Sequence, residues 1–141
     1  MSIQDSIAKA RELVDTADAV VATVEVGGTL YDVGLRPVLG SVWADLTATH
    51  PPRPGSVLDG NVGFNSDAVA KDYPLDKITI DGEAIDVETW AGVTSVLTAP
   101  GIKLLASVLW GINQQEPIRR AAELGKARAG AALKKRRSRA K

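Results

Sequence analysis

DVETWAGVTSVLTAPGIKLLASVLWGIN, residues 86–113, holds two of the chain's three Trp residues and its longest helical apolar pattern. Asp86 suits a helix N-cap, because its carboxylate can accept from a first-turn amide that otherwise has no partner. Glu88 follows near the positive end of the helix dipole. Trp90, Val93 and Leu97 recur at three- and four-residue spacing and share one face. Pro100 has no N–H and disfavours α conformation in the residue before it, which ends this helix near Leu97. The same proline is well placed to open a second helix, where the missing donor costs nothing. There Leu104, Leu105, Val108, Leu109 and Ile112 repeat with the helical period, Gly111 falls near the end and Asn113 is read as the cap. The expected result is a helical hairpin with a broad apolar face. Such a face either completes the chain's own core or stays open for a partner's helix. The run is too short for a membrane span, and it carries Lys103.

The chain's 141 residues are enough for one domain with a real core. Cysteine is absent, which removes disulfides, thiolate chemistry and Cys-ligated metal. MSIQDSIAKARELVD at the start is amphipathic rather than charged-then-apolar, so no export signal is expected. Zero net charge hides an asymmetry. Residues 1–116 carry 7 Lys/Arg and 16 Asp/Glu, a net −9, whereas residues 117–141 carry 10 Lys/Arg and one acid, a net +9. An acidic body with a basic tail attracts itself, other copies or an anionic partner.

Going outward from residue 86 towards the start, KITIDGEAI, residues 77–85, reads as a small hairpin turning at Asp81-Gly82, with Ile78 opposite Ile85. Asp72, Asp76 and Asp81 lack the spacing and terminal Glu of a calcium loop and read as solvated acids. Phe64 to Tyr73 is expected to hold a helical turn behind the cap candidates Asn65, Ser66 and Asp67, with Phe64 docked on the core. HPPRPGSVLDGNVG, residues 50–63, reads as a long Pro/Gly-rich connection, either functional or mobile. His50, the single histidine, has neither the companions of a metal site nor those of a nucleophile. Val38 to Thr49 reads as a helix with Val42, Trp43 and Leu46 inward. Residues 20–35 alternate about Gly27-Gly28 and predict a hairpin in which Val20 faces Leu35, Ala22 faces Val33, Val24 faces Tyr31 and Val26 faces Thr29. Ser2 to Asp15 reads as a capped helix with the stripe Ile3, Ile7, Ala10 and Val14. It is expected to cover the sheet or to act as an arm that orders in an oligomer.

Beyond residue 113, a last helix is expected from Pro117, with a face of mostly small residues from Ile118 to Ala132. Gly125 and Gly130 each cost about 1 kcal/mol against Ala there, so this helix should fray in isolation. The end, LKKRRSRAK, is either a solvated tail or a contact for nucleic acid or an acidic protein, through Lys134, Lys135, Arg136, Arg137 and Arg139. The expected architecture is therefore α+β: mostly helical, with an N-terminal β-hairpin, a second small hairpin and long C-terminal helices. It divides into a mixed domain, 1–116, and a basic helix or tail, 117–141.

A strand pair, WADL (43–46), HPPRPG (50–55), GFNSDAV (63–69) and then ETW…LT…LLASVLWGINQ (88–114) follow one another in an order that resembles the tail assembly chaperones of long-tailed bacteriophages, especially those infecting actinobacteria. The resemblance covers residues 20–115. It implies a non-enzymatic protein of the infected host's cytoplasm, without cofactor or metal, that binds and solubilises the tape measure protein. It also implies recruitment of tail-tube subunits and absence from the mature particle; self-association is expected from charge, the −9 body of one copy engaging a neighbour's +9 tail head to tail. The family offers no catalytic residues. From the helical pattern itself, Trp90, Leu97, Leu105, Val108, Leu109 and Ile112 are expected to form the partner-binding face. The rival expectation is a structural virion protein, such as a head–tail connector or minor capsid or tail component, whose basic tail reaches DNA or an acidic neighbour. A nucleic-acid-binding regulator would need a recognition element besides the tail, and none is visible. With one His and no clustered acids, an enzyme has little to assemble a site from.

Overall fold

The computed structural model describes residues 2–139. It is an α+β fold: a four-stranded antiparallel sheet, in the order β1-β2-β3-β4, with helices packed on one face and a long C-terminal helix. Strands β1 (Val20–Val26) and β2 (Thr29–Leu35) pair in the predicted register, from Val20↔Leu35 to Val26↔Thr29. Gly27 and Gly28 turn the hairpin with φ of 59° and 87°, values that the primed two-residue turns require. β3 (Ile78–Ile80) and β4 (Glu83–Ala84) turn at Asp81 and Gly82, again with positive φ, and pair Thr79 with Ala84. Ladder pairing stops one step short of Ile78 and Ile85. The two hairpins are one sheet, because β2 also pairs β3, Leu35 with Ile78 and Val33 with Ile80.

The period of two puts Ala22, Val24, Val33, Leu35 and Ile78 on the inner face, where all five are buried. Helix α2 (Gly40–Thr49), the short α3 (Val57–Val62), α4 (Ser66–Asp72), α5 (Val87–Val96) and α6 (Ala99–Trp110) complete the body. α6 packs chiefly on α4 and β1. Its contact with α5 is slight, so the expected helical hairpin is absent: both helices lean on α4 rather than on each other. In α2, Trp43 and the half-buried Leu46 face the core, but Val42 is 40% exposed, because it lies about 100° round the helix from Trp43. Phe64 meets Trp43 edge-to-face, ring centroids 5.6 Å apart, the arrangement that aromatic quadrupoles favour.

The Pro/Gly-rich connection is neither long nor loose. α3 forms inside it, and Asp59, fully covered though close to the surface, ties it down. The Asp59 carboxylate accepts from the backbone N–H of Arg53 at 2.9 Å and from its guanidinium at 2.8 and 3.0 Å. Arg53 also reaches Asp67, which Lys103 of α6 holds at 2.9 Å.

Gly111 and Asn113 do not end a helix. Residues Gly111–Gln115 form one π turn, and α7 (Glu116–Arg139) continues from it. Pro117 gives the physical reason: it has no N–H to return to Asn113, and in a straight α-helix its ring would clash with that carbonyl. The wide turn swings Asn113 and Gln114 inward. Asn113 Oδ1 accepts from Val38 N–H at 3.0 Å, its Nδ2 donates to Tyr73 Oη at 3.1 Å, and Gln114 Oε1 accepts from Trp43 Nε1 at 3.0 Å. Two helices stand outside this body. α1 (Ile3–Asp15) does not cover the sheet and buries no residue; neither does α7.

Candidate helix-binding groove

The helical layer does not reach the whole inner face. α6 packs over β1, with α4 against its other side. Towards the β1–β2 turn, the same alternation presents Val24, Val26, Tyr31 and Val33, with Ile80 of β3 beside them. Ile85, Thr89 and Val93 form the opposite wall, at the start of α5 and along it. These eight residues line an open apolar groove of about 300 Å³. It has the size of a small ligand pocket, and its apolar lining suits one face of a helix rather than a polar small molecule. Glu83, Asp86 and Glu88 are exposed at its margin. Asp86 caps α5 by accepting from Thr89 N–H at 2.7 Å. That bond to Thr89 holds its carboxyl below the usual carboxylate range, so the margin stays negative.

The residues expected to bind a partner are placed differently. Trp90, Leu105 and Leu109 are 2%, 0% and 1% exposed and belong to this chain's own core. This overturns their assignment to an open seat. Trp90 also donates its indole N–H to the Ala70 carbonyl, and α6 is closed over by α4 and β1. Leu97, Val108 and Ile112 are half-buried against the same core. Of the predicted face Trp90, Val93 and Leu97, it is Val93 that lines the groove, beside Thr89. Helical periodicity marks which residues share a face but not what covers it. The groove's sheet wall was legible in the β1/β2 alternation, and what hid it was the uneven cover of the helices.

Compared with protein-family models, curated proteins and solved structures, the chain matches none. Lys134, Lys135, Arg136, Arg137 and Arg139 are exposed on the last turns of α7. The basic run is helical there rather than a loose tail; residues 140–141 lie outside the described part. His50 Nε2 lies 2.7 Å from Asp72 Oδ2 but without the alignment of a hydrogen bond. Among the described residues no three His, Asp or Glu side chains gather as a metal site, and no helix is long and apolar enough to cross a membrane.

Proposed function

We propose that the protein is a non-enzymatic tail assembly chaperone of a long-tailed bacteriophage, acting in the host cytoplasm, and that it holds apolar helical segments of the tape measure protein in the groove between the sheet and α5. The open apolar groove carries this reading. A long helical client exposes repeated apolar stripes, and a seat for one stripe keeps it from others of its kind. The acidic margin adds solubility and attracts a basic client. Co-expression with tape measure fragments tests it. The client should stay soluble with the wild-type protein and precipitate with the groove variant Val93→Glu, whose fold is checked by near-ultraviolet circular dichroism. A client equally soluble without the protein overturns the reading.

The exposed α7 favours a second reading, a structural virion protein whose basic helix meets DNA or an acidic neighbour such as a tail-tube subunit. Mass spectrometry of purified particles separates the two: stoichiometric presence supports the virion protein, and absence the chaperone.

A further inference from the structure

We infer that the groove also receives α1 of a second copy of this chain, in a reciprocal exchange that closes a two-fold dimer. The inference rests on the groove being a helix seat, as above, and adds its resident occupant.

α1 is a well-formed helix that rests on the body only at its last turn and buries none of its residues. Ser2 and Asp5 close a capping box, and Thr16 N–H returns to the Glu12 carbonyl at 2.9 Å. Isolated helices of this length, 13 residues, are marginal in water and ordinarily draw their stability from a packed apolar face. Here that face is Ile3, Ile7 and Ala10, all exposed, and the half-buried Val14, with Leu13 at its edge. Ile3 is 68%, Ile7 49% and Leu13 43% exposed. One chain thus holds an uncovered apolar stripe and an unfilled apolar groove.

The topology keeps the two apart within one molecule. The segment leading from α1 into β1 runs along the outer face of the sheet. There Ala19 lines a shallow depression with Val21, Gly34 and Thr79, and Asp15 lies 3.7 Å from Lys77 Nζ. The groove is on the inner face, at the opposite end of β1. Residues 16–19 span at most about 14 Å, which keeps the root of α1 at the Val20 end of β1, while the groove lies on the other face at the Val26 end. A second copy has no such barrier. Charge agrees with the seating. On α1, Arg11 borders the stripe, while Asp5 and Glu12 lie on the far side, so docking brings Arg11 towards Glu83, Asp86 and Glu88 and turns those two acids away. Reciprocal exchange uses both surfaces of both copies and leaves neither open, as an isologous contact does. A client helix then enters the groove by displacing the partner's α1.

The test uses the full chain. Wild-type protein should sediment as a dimer in analytical ultracentrifugation. Ile3→Lys/Ile7→Lys, which alters only exposed positions, and Val93→Glu should each weaken dimerisation roughly tenfold or more. The chain has no cysteine, so Ile7→Cys and Thr89→Cys chains can be mixed and oxidised. A disulfide-linked heterodimer is expected. A monomeric wild type, a dimer indifferent to Ile3→Lys/Ile7→Lys, or an Ile7→Cys/Thr89→Cys chain that links only within itself overturns the exchange. The two readings fail separately. A lost dimer with a client that never needed the protein removes the chaperone, and a Val93→Glu variant that drops the client yet stays dimeric removes the exchange.

Discussion

Tyr73 is where the sheet, α4 and the π turn meet. Its hydroxyl donates to the Arg36 carbonyl at 2.5 Å and accepts from Asn113 Nδ2. Tyr73→Phe should destabilise the protein by about 1–3 kcal/mol, since it removes two hydrogen bonds, to the Arg36 carbonyl and from Asn113 Nδ2, which keeps its bond to the Leu109 carbonyl; chemical denaturation reads this directly. Burial pushes the Tyr73 hydroxyl up from 10.0 to about 12, against the opposing bond from Asn113 and with a smaller contribution from Asp76. A raised folded pKa means that the contribution is complete below pH 10 and is lost as pH rises through 12. Stability should therefore fall across that window, and one tyrosine should ionise near pH 12 by ultraviolet titration. Asp59 works in the opposite sense. The Arg53 guanidinium, followed by the Arg53 backbone N–H, holds its carboxyl far below the usual carboxylate range. Its contribution is complete above about pH 4 and declines as pH falls toward the depressed folded value. Asp59→Asn should lower the melting temperature at pH 7, and the gap to wild type should narrow in acid.

At the scale of elements, Gly34 fixes how closely β2 and β3 approach. A Cβ there would lie 2.5 Å from Thr79 Oγ1 and 3.3 Å from the Ala19 Cβ. Gly34→Ala should cost about 1–3 kcal/mol, and adding Thr79→Ala should recover part of it; the double-mutant coupling measures that clash. α7 predicts the reverse, because it buries nothing. Ending the chain after Glu123 should leave near-ultraviolet circular dichroism unchanged and move the melting temperature by no more than about 3 °C. These elements also show what was legible in the sequence. The β1/β2 register followed from alternation about a glycine pair, and the starts of α1 and α5 from Ser2 and Asp86, since each signal lies within a few residues of its effect. The β2–β3 pairing and the π turn depend on distant partners: Asn113 and Gln114 bond residues more than 70 positions away. Leu105 and Leu109 were readable as apolar and helical. That α4 and β1 would close over them was not, because cover is a tertiary property.

The whole molecule separates two kinds of surface. The body and α1 carry the negative charge and the apolar groove, while α7 runs on for 24 residues, roughly 36 Å, and carries the basic turns. Contacts made through the two should respond differently to salt. Dimerisation through α1 should persist when ionic strength is raised to about 0.5 M, where exposed charges are screened beyond a few ångströms. Any complex of α7 with an anionic surface should weaken steeply over the same change. Sedimentation of wild-type protein and of the chain ending at Glu123, with and without such a partner, reads both responses in one series.

The π turn gives the basic rod a fixed joint instead of a loose one. Gln114 holds the indole of Trp43, and Asn113 grips the backbone of Val38, so a push on the far end of α7 arrives at the root of α2. The indole of Trp43 then serves as a built-in optical gauge. Its emission should change when cargo loads the lever, and replacing Gln114 with Ala should uncouple that signal while cargo still binds.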